Sequence, residues 1–571
     1  MSIITHYVKK SSRWVGGAQG AHVEDQDSVP EGAVPGRDRH EDPHRELAED
    51  DRDRQGQRQD EDAIRAEGAP GARVGVGGEL EAAEGRAAGA ERAAEIGVPA
   101  GDRSSGGWRW RRPAPPPDES ACLEEFEPFV ARWSRVLNPA FGRIPDFRKR
   151  ERCAYDAGTI AWTILLGMFL RRKSRVRMDS DRNSREYAES VLRISGQDLA
   201  RWPEGEPYHV PSSQTCCYLL SRVPSSSLLK ALSGMAGSVV RSKFLDGARY
   251  RGCCLLAFDG TKQEGVWRMG GAPRAGIRYQ LEAKLLGPGG IALSVASCTI
   301  KQYFDDNGKI DCELTAFKVL ARRIKRMFPR LSICVVGDAL YACQPVMRIC
   351  EDYGWKYVLT FKKGRTPAAY AESEALMRLV PGNAGDMSVR AKDGGREAVG
   401  DLAWAKDVTL GEGKGVVSFN VVRCAERAKG DGVSRPGVRR ERINDKPPYR
   451  GCFATNFDVW DADSASDIVA CGRLRWNIEN NFKVEKSDYG FGLEHVFCNH
   501  WRCSRNFYVL MQLANNLWQM FKAGCLPRLD AAPRNVAQYH WADILAQTLK
   551  FVGIKRPMDS VPTRYMRRMD L

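Results

Sequence analysis

The order of apolar runs between Gly252 and Lys362 restricts the fold more than any other part of this 571-residue chain. "CCLLAF" reads as an apolar strand ending at Asp259, and "IRYQLEAKLL" and "IALSVASCTI" read as two further strands. "CELTAFKVLARRIKRMF" sets Leu314, Phe317, Leu320 or Ala321, Ile324 and Phe328 on one side of a helix. The short apolar strand "LSICVV" leads to Asp338, and a helix through "QPVMRICEDYG" and the strand "KYVLTFK" follow. Three strands, a helix, a buried strand, a helix and a strand predict an α/β fold, a mixed sheet with helices packed on it.

The flanking regions have different textures. Residues 366–464 carry "MSVRAKDG", "VGDLAWAKDV", "GVVSFNVVRCAE" and "GCFATNFDV", strand-like runs between Gly-rich turns that predict an inserted β-rich subdomain. Residues 465–525 return to helix and complete the core begun at 246–365, and 526–571 are expected to be a basic, partly mobile tail. Upstream, 121–245 have helical apolar spacing with basic punctuation in "LRRKSRVRMDSDR". Within them, "VPSSQTCCYLLSRV" starts a helix at Ser212 or Ser213, either the groove-reading helix of a DNA-binding helix-turn-helix or a capped core helix. From Gly16 to Gly107 there are four Ile or Leu residues and no Phe, Trp, Tyr or Met. Such a segment buries too little apolar area to offset its ordering entropy, so 1–120 read as a disordered extension ending in the stiff "RRPAPPPDES".

Charge narrows the partners. A net charge of +15 favours a polyanion, nucleic acid before an anionic membrane. The longest apolar run, "TIAWTILLGMFL", is well short of the roughly 20 residues a spanning helix needs, and no signal-like stretch opens the chain, so the cytoplasm is expected. Seventeen cysteines, many in apolar runs, read as reduced, buried residues. His495, Cys498, His500 and Cys503 loosely allow a metal site, but without paired C-x-x-C elements packing and surface roles are the stronger expectation.

Asp259 and Asp338 stand where open α/β sheets bind ligands, although an Asp after a strand is more often a turn or helix cap. Two acids together there are costly without a cation between them. The stretch "RLRWNIENNFKVEK" offers a third: on a helix turning about 100° per residue, Arg475, Glu479 and Lys486 share a stripe within about 40°, with Phe482 in it. Glu485 points about 120° away from Glu479, and its loss is expected to be mild. Two strands and a later helix would then supply three carboxylates, the set two Mg²⁺ ions need for in-line phosphoryl transfer.

Over roughly residues 125–525 the chain resembles the insertion-sequence DDE transposases with the Tyr-Arg-Glu-Lys signature, which have a ribonuclease-H-like fold. The resemblance rests on "LLAFDGT", "VVGDALYA", "RLRWNIENNFKVEK", "YGFGLEH" and "NFYVLMQLANNL", and a β-rich insertion before the third acid is also a family feature. It implies that Asp259, Asp338 and Glu479 are the catalytic, metal-binding acids, with Mg²⁺ as cofactor and Mn²⁺ as a substitute. Arg475 and Lys486 would hold DNA phosphates, and Trp476 would stack on a displaced base or pack in the core. The implied partners are double-stranded DNA, as the element's terminal inverted repeats and as target, and a second copy in a homodimeric, nucleoid-associated DNA complex. The family's signature tyrosine falls at Gly472, which leaves its hairpin-forming end cleavage open for this chain. A nuclease of the same fold without strand transfer, and an inactive DNA-binding relic, are the competing expectations.

Overall fold

A computed structural model describes residues 119–202, 206–269, 272–300, 313–389, 398–427, 449–487, 490–494, 497–529 and 538–563. The expected disorder of the N-terminal extension lies outside these residues up to position 118. Helix α1 (Glu119–Phe141) opens the described chain, followed by α2 (Ala157–Phe169), α3 (Arg175–Asp181), α4 (Arg185–Ser195), α5 (Ser213–Leu220) and α6 (Ser225–Arg241). The run "TIAWTILLGMFL" forms α2, apolar on nearly every side because it is buried on nearly every side.

The strands are β1 (Cys254–Met269), β2 (Ala272–Leu286), β3 (Ala292–Ile300), β4 (Ile333–Gly337), β5 (Lys356–Thr360), β6 (Ala384–Val389), β7 (Ala398–Leu410), β8 (Val417–Glu426) and β9 (Arg450–Thr455). Interspersed are α7 (Glu313–Met327), α8 (Gln344–Asp352) and α9 (Pro367–Leu379), and the chain ends with α10 (Ala462–Arg473), α11 (Trp476–Lys486), α12 (Trp501–Gly524), α13 (Leu526–Leu529) and α14 (Gln538–Phe551). All nine strands join one mixed sheet in the order β3-β2-β1-β4-β5-β9-β8-β7-β6. Among the described residues parallel pairing is confined to β1, β4 and β5, whose connections are long enough to carry α7 and α8 across the sheet. All five residues of β4 are buried, as expected of a parallel strand covered on both faces.

Alternation divides the sheet's two faces. Leu255 and Ala257 join Val336, Val358, Ile468, Ile478 and Phe482 in one core, while Leu256 and Phe258 join Val335, Leu359, Phe317 and the long helices in the other. Helix α12 protects the sheet's β3 edge. Asn516 bonds both the N–H and C=O of Ser294, and Gln519 both those of Ala292, so two side-chain amides take the place of a further strand.

Several expectations need correction. Strand β1 does not end at Asp259 but runs to Met269, because β2 pairs with it along the whole hairpin. The strands expected to form an inserted subdomain extend the same sheet, since β9 pairs antiparallel with β5. The expected C-terminal tail contains α14, whose Trp541, Ala542, Leu545 and Leu549 are buried on the helical side of the molecule. Ion pairs Lys550–Asp181 and Arg556–Glu127 hold this segment to the helices near the start of the described chain. Helices α1 to α6 share their apolar core with α12 and α14. Of the two alternatives for the start of α5, the cap is Ser212, whose hydroxyl accepts the Thr215 N–H; Cys216, Leu219 and Leu220 face the core, and Gln214 and Tyr218 are exposed.

Candidate active site: carboxylates at the ends of the parallel strands

Register alone brings the first two acids together. Ala257 of β1 is level with Val336 of the parallel strand β4, so Asp259 and Asp338 each follow two residues beyond that pair. Asp338 begins the turn after β4, where its Oδ1 accepts the Leu340 N–H at 2.8 Å. The Oδ1 of Asp259 accepts the Gly260 N–H at 2.9 Å. Both side chains are half-buried, with one carboxylate oxygen committed to the local backbone.

Glu479, on α11, is near enough for its charge to act on Asp259, after those of Asp338 and Arg475. The three expected acids are therefore electrostatic neighbours. A fourth, Glu313 at the start of α7, was not anticipated. It is only 7% exposed, and Tyr341 donates to its Oε1 at 2.5 Å while its Oε2 has no partner among the described residues. A Cβ built on Gly260 would lie 3.1 Å from that oxygen, so glycine next to Asp259 leaves room for the carboxylate. The sequence did carry a signal for it: Glu313 is in phase with Phe317, Leu320 and Ile324, on the side of the helix that faces the core.

Two of these acids, Asp259 and Glu313, resist ionisation. Burial, then Glu313, then Asp338, push the Asp259 carboxyl up to about 7, with Arg475 opposing and Glu479 adding to the rise. Burial pushes Glu313 up to about 7 as well; the Tyr341 hydrogen bond opposes this and Asp338 adds to it. These groups and the orphan oxygen of Glu313 make an oxygen-only donor set short of positive charge, which suits a hard divalent cation. The spacing bears on how such cations would fit. Among the described residues no three of these carboxylates bring ligand oxygens within 4.8 Å of one another. Oxygens on one Mg²⁺ are at most about 4.2 Å apart, given Mg–O distances of about 2.1 Å, so the acids must close in on one ion or divide between two.

The expected DNA-contacting residues fall as follows. Arg475, ahead of α11, donates to Glu479 at 2.5 Å and lies over the Trp476 ring at 5.4 Å. Trp476 is 45% exposed, which removes the core-packing alternative for it. Lys486 is half-buried at the far end of α11, about 10 Å along the helix from Glu479 at 1.5 Å per residue. Phe482, expected on the same stripe, belongs to the core, where the Lys284 ammonium lies 4.6 Å from its ring centre. Glu485, expected to be expendable, is fully buried and ion-paired with Lys284. Gly472 is buried in α10, and a Cβ there would overlap the Phe453 ring of β9, so this backbone has no space for the signature tyrosine.

Beside Arg475 and Trp476 lies a cleft of about 790 Å³ between the later strands and α10. Lys362, Lys363, Arg423 and Arg450 line it with Arg475, and Asp401 is its acid. Arg475 thus belongs both to this basic cleft and to the surroundings of the carboxylates, and Tyr449 also lines the cleft. Among the described residues no helix is long and apolar enough to cross a membrane.

An α/β sheet of nine mixed strands with flanking helices, and two acids each two residues beyond the last pair of adjacent parallel strands, has the form of a ribonuclease-H-like transposase fold. Residues 312–517 match the family model described as Transposase DDE domain, which supports a DDE-type transposase. The matched span includes Glu313, Asp338, Arg475, Glu479 and Lys486 and begins after Asp259. No curated protein matches the chain.

Proposed function

We propose that this protein is the transposase of an insertion sequence, binding the element's ends and catalysing Mg²⁺-dependent strand cleavage and strand transfer with Asp259, Asp338 and Glu479. The observation that carries the reading is the level placement of Asp259 in β1 and Asp338 just after β4, with the charge of Glu479 from α11 acting on Asp259. Divalent cations held by the three acids would activate the attacking oxygen and neutralise the leaving one. The protein's own part is positional. Asp259 gives up the proton that its crowded setting favours, and Arg475, now paired with Glu479, turns its guanidinium fork to the scissile phosphate. Lys486 takes a phosphate farther along the strand, and the basic cleft guides the duplex in. Trp476, already exposed, stacks on a base displaced at the cut. Tyr449 supplies a phenol in the cleft that Gly472 lacks.

The test uses the full chain with a DNA duplex bearing the element's terminal repeat. Cleavage and joining should require Mg²⁺ or Mn²⁺ and vanish in Asp259→Asn and Asp338→Asn, while end binding persists. Cutting without joining would replace the reading with a nuclease. Metal-independent cutting, or cutting that survives both substitutions, would overturn it.

A further inference from the structure

Away from the acids, three thiols converge. Cys217 of α5, Cys498 ahead of α12 and Cys503 in the first turn of α12 place their sulfurs within 4.8 Å of one another. Among the described residues this is the one group of three or more Cys, His, Asp or Glu side chains drawn so close. Every described cysteine is free, so no disulfide accounts for the cluster. Cys503 is fully buried, and Cys217 and Cys498 are half-buried, leaving an approach from solvent. From the sequence, only Cys498 and Cys503 drew attention; Cys217 lies in a distant helix, and folding alone brings it to them.

The geometry points to a structural site for a thiophilic divalent ion, zinc by its chemistry, in which Cys217, Cys498 and Cys503 clamp α5 to the start of α12. Zn–S bonds of about 2.3 Å put tetrahedral sulfurs about 3.8 Å apart, so these thiols need to close by no more than about 1 Å. The all-sulfur set excludes the hard cations that suit the carboxylates and selects zinc among common divalent ions. Three thiolates around Zn²⁺ carry one net negative charge, and the surroundings answer it. The Arg175 Nη1 is 3.6 Å from the Cys217 sulfur, and Cys503 lies in the first turn of α12, where the helix presents its positive end. His500 caps that helix, its Nδ1 accepting the Cys503 N–H at 3.4 Å, and stands between the two later cysteines in sequence. A solvent molecule would complete the tetrahedron.

The clamp has structural consequences. Asn506, one turn into α12, already donates to the carbonyls of Leu220 and Val223 at the end of α5, both at 2.8 Å. The same helix holds the β3 edge through Asn516 and Gln519. An ion at its start would therefore fasten the helical region to the sheet that carries the acids, and a zinc-free chain would loosen first at α5.

The test reads the metal directly, without activity. Reduced, metal-free full-length protein titrated anaerobically with Co²⁺ should take up one ion per chain, with thiolate-to-cobalt charge-transfer absorption and the intense visible bands of a tetrahedral site. Zn²⁺ should then abolish both. Cys498→Ser, at a half-buried position, should weaken Co²⁺ binding at least about tenfold, by comparison with the cost of losing even outer-sphere partners. Cys153→Ser, outside the cluster, should leave it unchanged. The wild-type spectrum keeps the test valid if a variant fails to fold. Absence of a thiolate band in the reduced wild-type protein, or full-strength Co²⁺ binding in Cys498→Ser, would overturn the proposal. A disulfide among these three cysteines that persists in the reduced preparation would do the same.

Discussion

Two glutamates six residues apart on α11 meet opposite fates. Glu485 is fully buried, yet both of its own oxygens have hydrogen-bond partners. Its Oε1 accepts from the Lys284 ammonium at 2.5 Å and from Asn515 at 2.7 Å, and its Oε2 accepts from Gln512 at 3.2 Å. Lys284 in turn donates to Asn481 and Gln512. Glu479 is more exposed and has Arg475 as its partner, in a neighbourhood with three other carboxylates. The same residue type on the same helix thus serves architecture where its charge is balanced and chemistry where acid is in surplus. A satisfied polar network fixes α11 against the sheet and α12, and the surplus at the other face is what a cation would relieve.

The largest test of this contrast is Glu485→Ala. Removing one partner of a buried pair leaves Lys284 buried without the carboxylate it is paired with, a cost of about 3–5 kcal/mol. Denaturant unfolding should show that loss, whereas Glu479→Ala should cost much less, because it takes one carboxylate out of a half-buried cluster where acid is in surplus. Equal effects of the two substitutions would erase the distinction.

A second test uses pH. The carboxyls of Asp259 and Glu313 ionise in the folded protein near pH 7, against ordinary values near 4, so the folded state binds their protons more tightly than the unfolded state does. Metal-free protein should therefore lose stability as pH rises from about 4 through about 7, with little further change above. Mg²⁺ or Mn²⁺ should remove most of that fall. Glu282, pushed up to about 7 chiefly by burial, contributes a similar fall of its own. It lies in the core with Tyr508 and Ser294, so its share should persist in the presence of metal. Thermal melts across pH, with and without the ion, separate the two. A fall that metal leaves untouched would mean that the crowded acids are not the binding site.

A smaller effect is expected from Arg475→Lys. Charge is kept and the planar fork is lost, so end binding should change by less than about threefold while cleavage falls by about tenfold or more, if the fork aligns the scissile phosphate. Gel-shift and cleavage assays on one preparation would measure both. Equal losses would reduce Arg475 to a counter-ion for Glu479.

Much of this arrangement was legible in the sequence. Asp259 and Asp338 follow apolar runs that alternate or bury completely, and such runs report strands reliably. Helical phase separated Glu479 from Glu485, but it gave the direction of each and not what each would meet. Lys284 lies about 200 residues from Glu485, inside the strand-like run "IRYQLEAKLL", so the buried pair was invisible until β2 met α11. The same holds for Cys217 and for Glu313, whose phase could be read but whose neighbours come from other elements. The extension of β1 past Asp259 escaped because its pairing partner decides where a strand stops, and the later strands looked separate because the β5–β9 pairing that joins them to the sheet is non-local.

The most direct measurement is Mn²⁺ binding by calorimetry to the full chain and to Glu479→Gln and Glu485→Gln, with strand cleavage of an end-bearing duplex followed in parallel. The account predicts that Glu479→Gln stays as stable as the parent, binds Mn²⁺ at least about tenfold more weakly, by comparison with the loss of outer-sphere partners, and does not cleave. Glu485→Gln should lose stability yet, while folded, bind Mn²⁺ and cleave like the parent. Normal Mn²⁺ binding and cleavage by Glu479→Gln, or their loss in folded Glu485→Gln alone, would contradict it.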